Sequence, residues 1–256
     1  MGTTMKAGAD LGFRQLAGRL GLAAWQLRLA VEHGLVPEPD AEGRWPAETA
    51  GRARTGKIIE AFGEQPPVGA EKAAARLAPR LALDVERADV EVLVARGELT
   101  VISRYRRYPI YLLRELDALD AERVSEVVAN RKGPLFDTVE AKAAALVLDW
   151  PKDVFDRIAA DRALPTDQLG RYSLADVRAL AADGDLGARV NAERHRRALA
   201  RARRNEERHE DALRTWMLRC GAYLDRTADD PPDPKAASRA LRALKVLRST
   251  VHLHPA

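Results

Sequence analysis

The sequence is poor in cysteine, in aromatic residues and in long apolar runs. Cys220 is the single cysteine of the 256 residues, which excludes an internal disulfide and a zinc site built from cysteines. The longest strictly apolar run, residues 143–148, is far shorter than the roughly 20 residues of a membrane-spanning helix. Residues 1–10 lack the apolar core of a signal peptide. We therefore expect a cytoplasmic protein that has no membrane partner.

Motifs for common catalytic and ligand chemistry are missing as well. The 17 glycines form neither of the glycine-rich phosphate-binding patterns, and the five histidines form no HExxH zinc motif. Cys220 lies in an apolar helical pattern that is more typical of a core thiol than of a nucleophile. We therefore expect no catalytic residue, no metal and no cofactor, and hence no enzyme.

Charge is distributed unevenly along a chain that is otherwise apolar enough to fold. Hydrophobic residues make up 46% of the sequence, which is too much for a disordered chain. Residues 1–186 carry a net charge of −3, whereas residues 187–256 carry +7. A basic segment attached to a nearly neutral body favours a polyanionic partner.

Three segments of the chain resemble one another, and they predict domains at residues 1–62 (repeat one), 63–131 (repeat two) and 132–186 (repeat three). Repeats two and three align without a gap through Asp84 and Asp149. Each repeat then has a basic–aromatic pair followed by Pro or Ser, which starts a further helical stretch. These pairs are Arg44–Trp45, Arg107–Tyr108 and Arg171–Tyr172.

The residue pattern predicts the same local structure in each repeat, namely helix, turn, helix, short β-hairpin and helix. Gly21 is a suitable turn residue after the first helix of repeat one. The strands of its hairpin are predicted at Leu35–Val36 and Arg44–Trp45. In repeat three, Asp149 is expected to cap the second helix, and Ser173 to cap the closing helix.

This pattern resembles the winged helix-turn-helix of the MerR and excisionase type. The resemblance is strongest over residues 170–177 (GRYSLADV), close over 43–48 (GRWPAE) and looser over 106–109 (RRYP). It implies a mainly α fold with short β-hairpin wings. Three tandem winged helix-turn-helix units would then precede a C-terminal helical region, residues 187–256.

The resemblance also implies which residues touch DNA, because in that family the second helix enters the major groove and the wing touches the flanking backbone. From the second helix of repeat one it implies Trp25, Gln26 and Arg28. From the wings it implies Arg44, Arg104, Arg106, Arg107 and Arg171. Gln can pair with adenine and Arg with guanine in bidentate fashion.

The second helices of repeats two and three depart from this pattern because they are acidic. Carboxylates are unfavourable beside phosphates, and these two helices therefore favour contact with a protein. The acidic residues are Asp84, Glu86, Asp89 and Glu91 in repeat two, and Asp149, Asp153, Asp156 and Asp161 in repeat three.

In the C-terminal region, the residue pattern predicts one long helix over residues 188–226, followed by a last helix. A stripe of arginines with helical spacing lies on one face of the long helix, where it either follows a phosphate backbone or is solvated surface. Its members are Arg194, Arg197, Arg201, Arg204 and Arg208. Apolar residues of the two helices predict one of two arrangements. The helices either pack together as a helical hairpin or contact another protein, which includes a second copy in a homodimer. The apolar residues are Leu213, Trp216, Met217, Cys220 and Leu224, and then Ala237, Leu241, Leu244, Val246 and Leu247.

Two functions from different classes follow from these observations. The first is a protein that binds double-stranded DNA, either a transcriptional regulator or a nucleoid-associated protein. The second is a protein-interaction scaffold, in which degenerate winged helices bind a partner and the basic helix is only surface. Repeat one favours the first hypothesis, whereas the acidic helices of repeats two and three favour the second.

Overall fold

The structure is a computed structural model, and it describes residues 10–252. The protein is mainly helical with small antiparallel sheets, which confirms the predicted class of fold. The chain divides into two compact units, Met1–Ala179 and Leu180–Ala256.

The same order of elements recurs in the three repeats: a short strand, two helices, a returning strand and a closing helix. Repeat one contains β1 (Leu11–Gly12), α1 (Phe13–Leu20), α2 (Ala24–Glu32), β2 (Arg44–Trp45), α3 (Thr49–Arg52) and α4 (Thr55–Phe62). Repeat two contains β3 (Val68–Gly69), α5 (Ala70–Leu81), α6 (Arg87–Ala95), β4 (Ser103–Tyr105), β5 (Tyr108–Tyr111), α7 (Leu113–Ala118) and α8 (Ala121–Lys132). After a 3-10 turn (Gly133–Leu135), repeat three contains β6 (Thr138–Val139), α9 (Ala141–Val147), α10 (Lys152–Asp161), β7 (Tyr172–Ser173) and α11 (Leu174–Ala182).

The returning strand pairs antiparallel with the strand that precedes the first helix of its own repeat. This places an aromatic residue at the same register position each time, with the pairs Leu11–Trp45, Val68–Tyr111 and Val139–Tyr172. The predicted strand at Leu35–Val36 is therefore wrong, because β1 is the partner of β2. Val36 is buried in the core of repeat one instead.

Residues with a left-handed backbone end the helices of every repeat and fix the true alignment. They follow the first helix at Gly21, Ala82 and Asp149, and the second helix at Gly34, Gly97 and Ala163. Asp149 is therefore equivalent to Ala82, and the ungapped alignment with Asp84 is wrong by two residues. Asp149 also does not cap α10, whose N-cap is Pro151. Ser173 does cap α11, since its Oγ accepts a hydrogen bond from Ala175 N.

The core of repeat one forms where the apolar faces of α1, α2 and α4 meet. Leu16, Leu27 and Ile58 are almost fully buried there, and Trp45 covers one side. Leu112, which precedes α7 of repeat two, belongs to the same cluster. The first two repeats therefore share one core.

The second unit contains α12 (Gly184–Leu224) and α13 (Pro234–His252). The two helices pack against each other, as predicted for a hairpin. Four residues of the predicted apolar set are nevertheless exposed, namely Met217, Leu224, Leu241 and Val246. Arg248 of α13 donates to Glu206 and to Glu210 of α12, at 2.8 and 2.6 Å. Ala237, Ala240 and Leu244 of α13 are buried.

Candidate nucleic-acid interface

The hairpin formed by β4 and β5 carries the densest group of exposed basic and aromatic side chains that we find in the first unit. Its three arginines, Arg104, Arg106 and Arg107, are all exposed. Tyr105 and Tyr108 face each other across the strands and expose 54% and 62% of their surface. The guanidinium of Arg106 lies 5.5 Å from the centre of the Tyr105 ring, within the range of a cation–π contact. The hairpin therefore presents cations and rings together.

The turn of this hairpin is strained. Arg106 and Arg107 occupy its two central positions and have φ values of +49° and +73°. A two-residue turn of this kind matches the twist of the strands, and Asn-Gly is its preferred sequence. The left-handed conformation costs other residues roughly 1 kcal/mol or more each. Two arginines at these positions are therefore costly for folding, as is common at functional sites.

The basic–aromatic pairs of the three repeats are not all equivalent. The buried aromatic residues of repeats one and two are Trp45 and Tyr111, whereas Tyr108 is exposed at the tip of the hairpin. Arg107–Tyr108 therefore does not correspond to the other two pairs, and Pro109 lies within β5 and starts no helix. Burial raises the pKa of the Tyr111 hydroxyl, and the Glu91 carboxylate raises it further.

The recognition helix predicted for repeat one, α2, exposes only part of the predicted site. Arg28 is exposed, and we find no hydrogen bond or ion pair between its side chain and the described residues. Trp25 is half-buried and packs against the core of repeat one. This helix therefore offers one cation to a partner and uses its indole for packing.

The resemblance predicts that Gln26 contacts a base, and the structure contradicts this prediction. Only 6% of its surface is exposed. Its Oε1 accepts a hydrogen bond from Ala23 N at 2.9 Å, which caps α2. Its Nε2 donates to Gly63 O at 2.8 Å, which ties α2 to the end of α4. Gln26 therefore stabilises the fold, and its amide faces the protein.

The loops before the returning strands of repeats one and three are built alike. Asp40 Oδ1 accepts from the backbone N–H of Arg44, and Asp167 Oδ1 accepts from that of Arg171, at 2.7 and 2.8 Å. The Arg44 side chain is exposed, with Glu42 at 3.9 Å. The two loops therefore hold their arginines at equivalent backbone positions.

Arg171 differs from Arg44 in the direction of its side chain. It is half-buried and lines a cleft of about 250 Å³ together with Lys132 and Glu140. Its Nε is buried and finds no acceptor among the described residues. Arg171 is therefore a less accessible cation than Arg44, and its predicted contact with DNA stays a prediction.

The acidic residues around α6 are used mainly in an ion-pair network that sequence analysis missed. Asp89 is buried, caps α6 at Glu86 N and accepts from Arg131 Nε at 2.8 Å. Lys132 Nζ lies 2.8 Å from Asp84 Oδ2. Burial lowers the pKa of Arg131, but the hydrogen bond from Arg131 to Asp89 and the nearby carboxylates raise it overall. The two ion pairs join positions more than 40 residues apart, and no local pattern in the sequence predicts them.

The arginine stripe of α12 is exposed over its C-terminal part. Arg201, Arg204 and Arg208 are exposed, and we find no ion pair between them and the described residues. Arg197 donates to Glu193 at 2.5 Å, and Arg194 is half-buried. The face of α12 that carries Glu206 and Glu210 is the one that α13 covers. The stripe therefore has three available cations.

Among residues 10–252, no group of histidine, cysteine or acidic side chains is arranged to hold a metal ion. No helix in this range is long and apolar enough to cross a bilayer. Comparison with protein-family models, curated proteins and solved structures finds no significant match to this chain.

Proposed function

We propose that the protein binds duplex DNA and that its three repeats are winged helix-turn-helix units. The observation that carries the proposal is the exposed hairpin of repeat two, residues 103–111, with its three arginines and two tyrosines. The proposed activity is that of a transcriptional regulator or of a nucleoid-associated protein.

The chemistry of the hairpin suits a phosphate backbone. Arginine presents a planar fork that binds phosphate oxygens in bidentate fashion, and tyrosine hydroxyls donate to the same oxygens. The strained turn at Arg106 and Arg107 supports this role, because Asn-Gly would form the same turn without these two charges.

Binding is expected to depend mostly on phosphates. Three residues of α2 are predicted to contact bases, namely Trp25, Gln26 and Arg28. Gln26 is buried, so Arg28 is the one polar side chain of the three that is exposed. By contrast, the hairpin and the stripe at Arg201, Arg204 and Arg208 provide six exposed cations. Phosphate contacts position a protein but carry no sequence information. We therefore expect a small ratio of specific to non-specific affinity.

The test is a fluorescence-anisotropy titration of a labelled duplex over a series of salt concentrations. The variant replaces Arg104, Arg106 and Arg107 by Gln. We expect the log affinity of the parent protein to fall with the log salt concentration with a slope of ~0.9 for each phosphate that it neutralises. The variant should lose the contribution of up to ~3 phosphates to this slope.

A matched control removes three charges from arginines that already pair with carboxylates, namely Arg52, Arg96 and Arg123. This variant should keep most of the affinity and of the salt slope. If the parent does not bind at micromolar concentration in low salt, the proposal is wrong. If both variants lose affinity equally, the hairpin is not the contact surface and the observation that carries the proposal fails.

A protein-interaction scaffold is the second candidate, and a separate observation favours it. Met217, Leu218 and Leu224 of α12 expose 66%, 75% and 78% of their surface. Large apolar residues exposed in this way are typical of protein contact sites. If DNA does not bind, this function becomes the better explanation of the chain.

A further inference from the structure

We infer that α2 of repeat one and the hairpin of repeat two act together on a single duplex. In this arrangement the helix of one repeat cooperates with the wing of the next repeat. The inference rests on the proposed DNA binding, and it assigns a partner helix to the hairpin.

The base of the hairpin is attached to the C-terminal end of α2. Ser103 Oγ donates a hydrogen bond of 2.7 Å to Glu32 Oε2, and His33 Nε2 lies 2.8 Å from Ile102 O. Ile102 packs against the core of repeat one, to which Leu112 also belongs. Both ends of the hairpin are therefore fixed to repeat one, so that α2 and the hairpin form one structural element.

Arg28 and the arginines of the hairpin lie close enough to share one duplex. Arg28 precedes Glu32 by about one helical turn on the same face, a distance of ~6 Å. From Ser103 to the tip of the hairpin, three strand residues add ~10 Å. With the hydrogen-bonded side chains between them, the whole path is below ~25 Å, which is less than the ~34 Å of one duplex turn.

The helix that belongs to the hairpin's own repeat is a poorer partner. The Arg87 guanidinium of α6 is paired with Glu91 at 2.7 Å, and Arg96 at the end of α6 is paired with Glu126 at 3.2 Å. Asp89 of α6 is occupied in the buried ion-pair network. In contrast, Arg28 of α2 is exposed, and the described residues offer it no ion pair. The available cation beside the hairpin therefore comes from repeat one.

The test compares Arg28→Gln with the matched variant Arg87→Gln. Each change removes one exposed arginine from a second helix, Arg28 in the middle of α2 and Arg87 at the start of α6. Thermal unfolding should show that both variants fold. Affinity is measured for a duplex of ~12 base pairs, which is little more than one turn. We expect Arg28→Gln to weaken binding ~3- to 10-fold, as for one lost hydrogen-bonded contact, and to reduce the salt slope by ~0.9.

Arg87→Gln should leave affinity and slope nearly unchanged. The variant that combines Arg28→Gln with Arg106→Gln and Arg107→Gln should lose ~3 slope units on the same short duplex. The inference is overturned if Arg87→Gln has the larger effect, if neither change has an effect, or if two short duplexes bind per protein. Each of these outcomes still requires that DNA binds, whereas the complete absence of binding contradicts the proposed function itself.

Discussion

The ammonium of Lys132 lies 2.8 Å from the carboxylate of Asp84, and the two side chains expose only 3% and 10% of their surface. Lys132 also donates to the carbonyl of Thr138, the first residue of β6. The pair therefore joins the loop between α5 and α6 of repeat two to the start of repeat three. A buried charge that loses its partner is strongly destabilising.

We expect Lys132→Met to lower the free energy of unfolding by ~3–5 kcal/mol, because it removes the cation that is hydrogen-bonded to the buried Asp84 carboxylate. The double variant Lys132→Met/Asp84→Leu should recover much of this loss. Urea unfolding followed by circular dichroism measures both. The control is Lys152→Met, which breaks an exposed pair with Asp156 and should cost less than ~0.5 kcal/mol. Similar losses for the two single variants would contradict this account.

The turn of the hairpin should show opposite effects on stability and on binding. Replacing Arg106 by Asn and Arg107 by Gly relieves the left-handed strain, and we expect it to raise the free energy of unfolding by ~1 kcal/mol. DNA affinity should fall, since two cations are lost. In the comparison variant, both arginines become Gln, which removes the charges but keeps the strain. That variant should bind DNA as weakly as the first but should not gain stability. If both variants are more stable than the parent, repulsion between the charges, and not the left-handed backbone, destabilises the turn.

Gln26 and Arg28 are predicted to behave differently although they lie two residues apart. Gln26→Ala removes a helix cap and leaves Gly63 O without its donor, and we expect a loss of ~1–3 kcal/mol in unfolding free energy. Below its unfolding temperature the variant should keep the DNA sequence preference of the parent. Arg28→Ala should change stability by less than ~0.5 kcal/mol and weaken DNA binding. Thermal melts and binding to two unrelated duplexes separate these effects, and a changed sequence preference in Gln26→Ala would count against the structural role.

The arginine stripe of α12 should act on every DNA sequence alike. Changing Arg201, Arg204 and Arg208 to Gln keeps good helix formers and removes three charges. We expect the affinity for unrelated duplexes to fall by a common factor and the salt slope to shrink by up to ~3 units. Arg196 and Arg203 lie on another face of the same helix, and their change to Gln should matter less. An unchanged slope in the triple variant would make the stripe ordinary solvated surface.

The pair between Arg76 and Asp117 predicts a dependence of stability on pH. Arg76 donates from two nitrogens at 2.8 and 2.7 Å, and these hydrogen bonds lower the pKa of the Asp117 carboxyl below its ordinary value. Because the folded-state pKa is the lower one, the stabilisation is fully present above about pH 4 and is lost as the pH falls through that pKa. Both side chains are about 40% exposed, which limits the effect to below ~1 kcal/mol.

The variant Asp117→Asn should therefore be less stable than the parent at neutral pH, and the difference should shrink on acidification to about pH 3. Urea midpoints at the two pH values measure it. A difference that grows in acid would contradict the assigned direction of the pKa.

Local signals in the sequence were enough to predict the class of fold and most helices. The apolar spacing of α1, α2 and α10 defines their buried faces, and Gly21 ends α1 because glycine adopts a left-handed backbone easily. The long helix α12 was predicted because residues 188–226 contain no proline. The exposed arginines at 104, 106 and 107 also follow from the hairpin signal.

The tertiary structure alone decided how these elements are used. Periodicity says that Gln26 and Arg28 share a short helix, but only the position of Gly63 decides that the amide of Gln26 is buried. Strand pairing selected β1 as the partner of β2, because a two-residue strand carries no register signal of its own. Likewise, the contact between Glu32 and Ser103 joins residues 71 positions apart. Such contacts depend on where the shared core places each element, and the physical chemistry of neighbouring residues does not determine that.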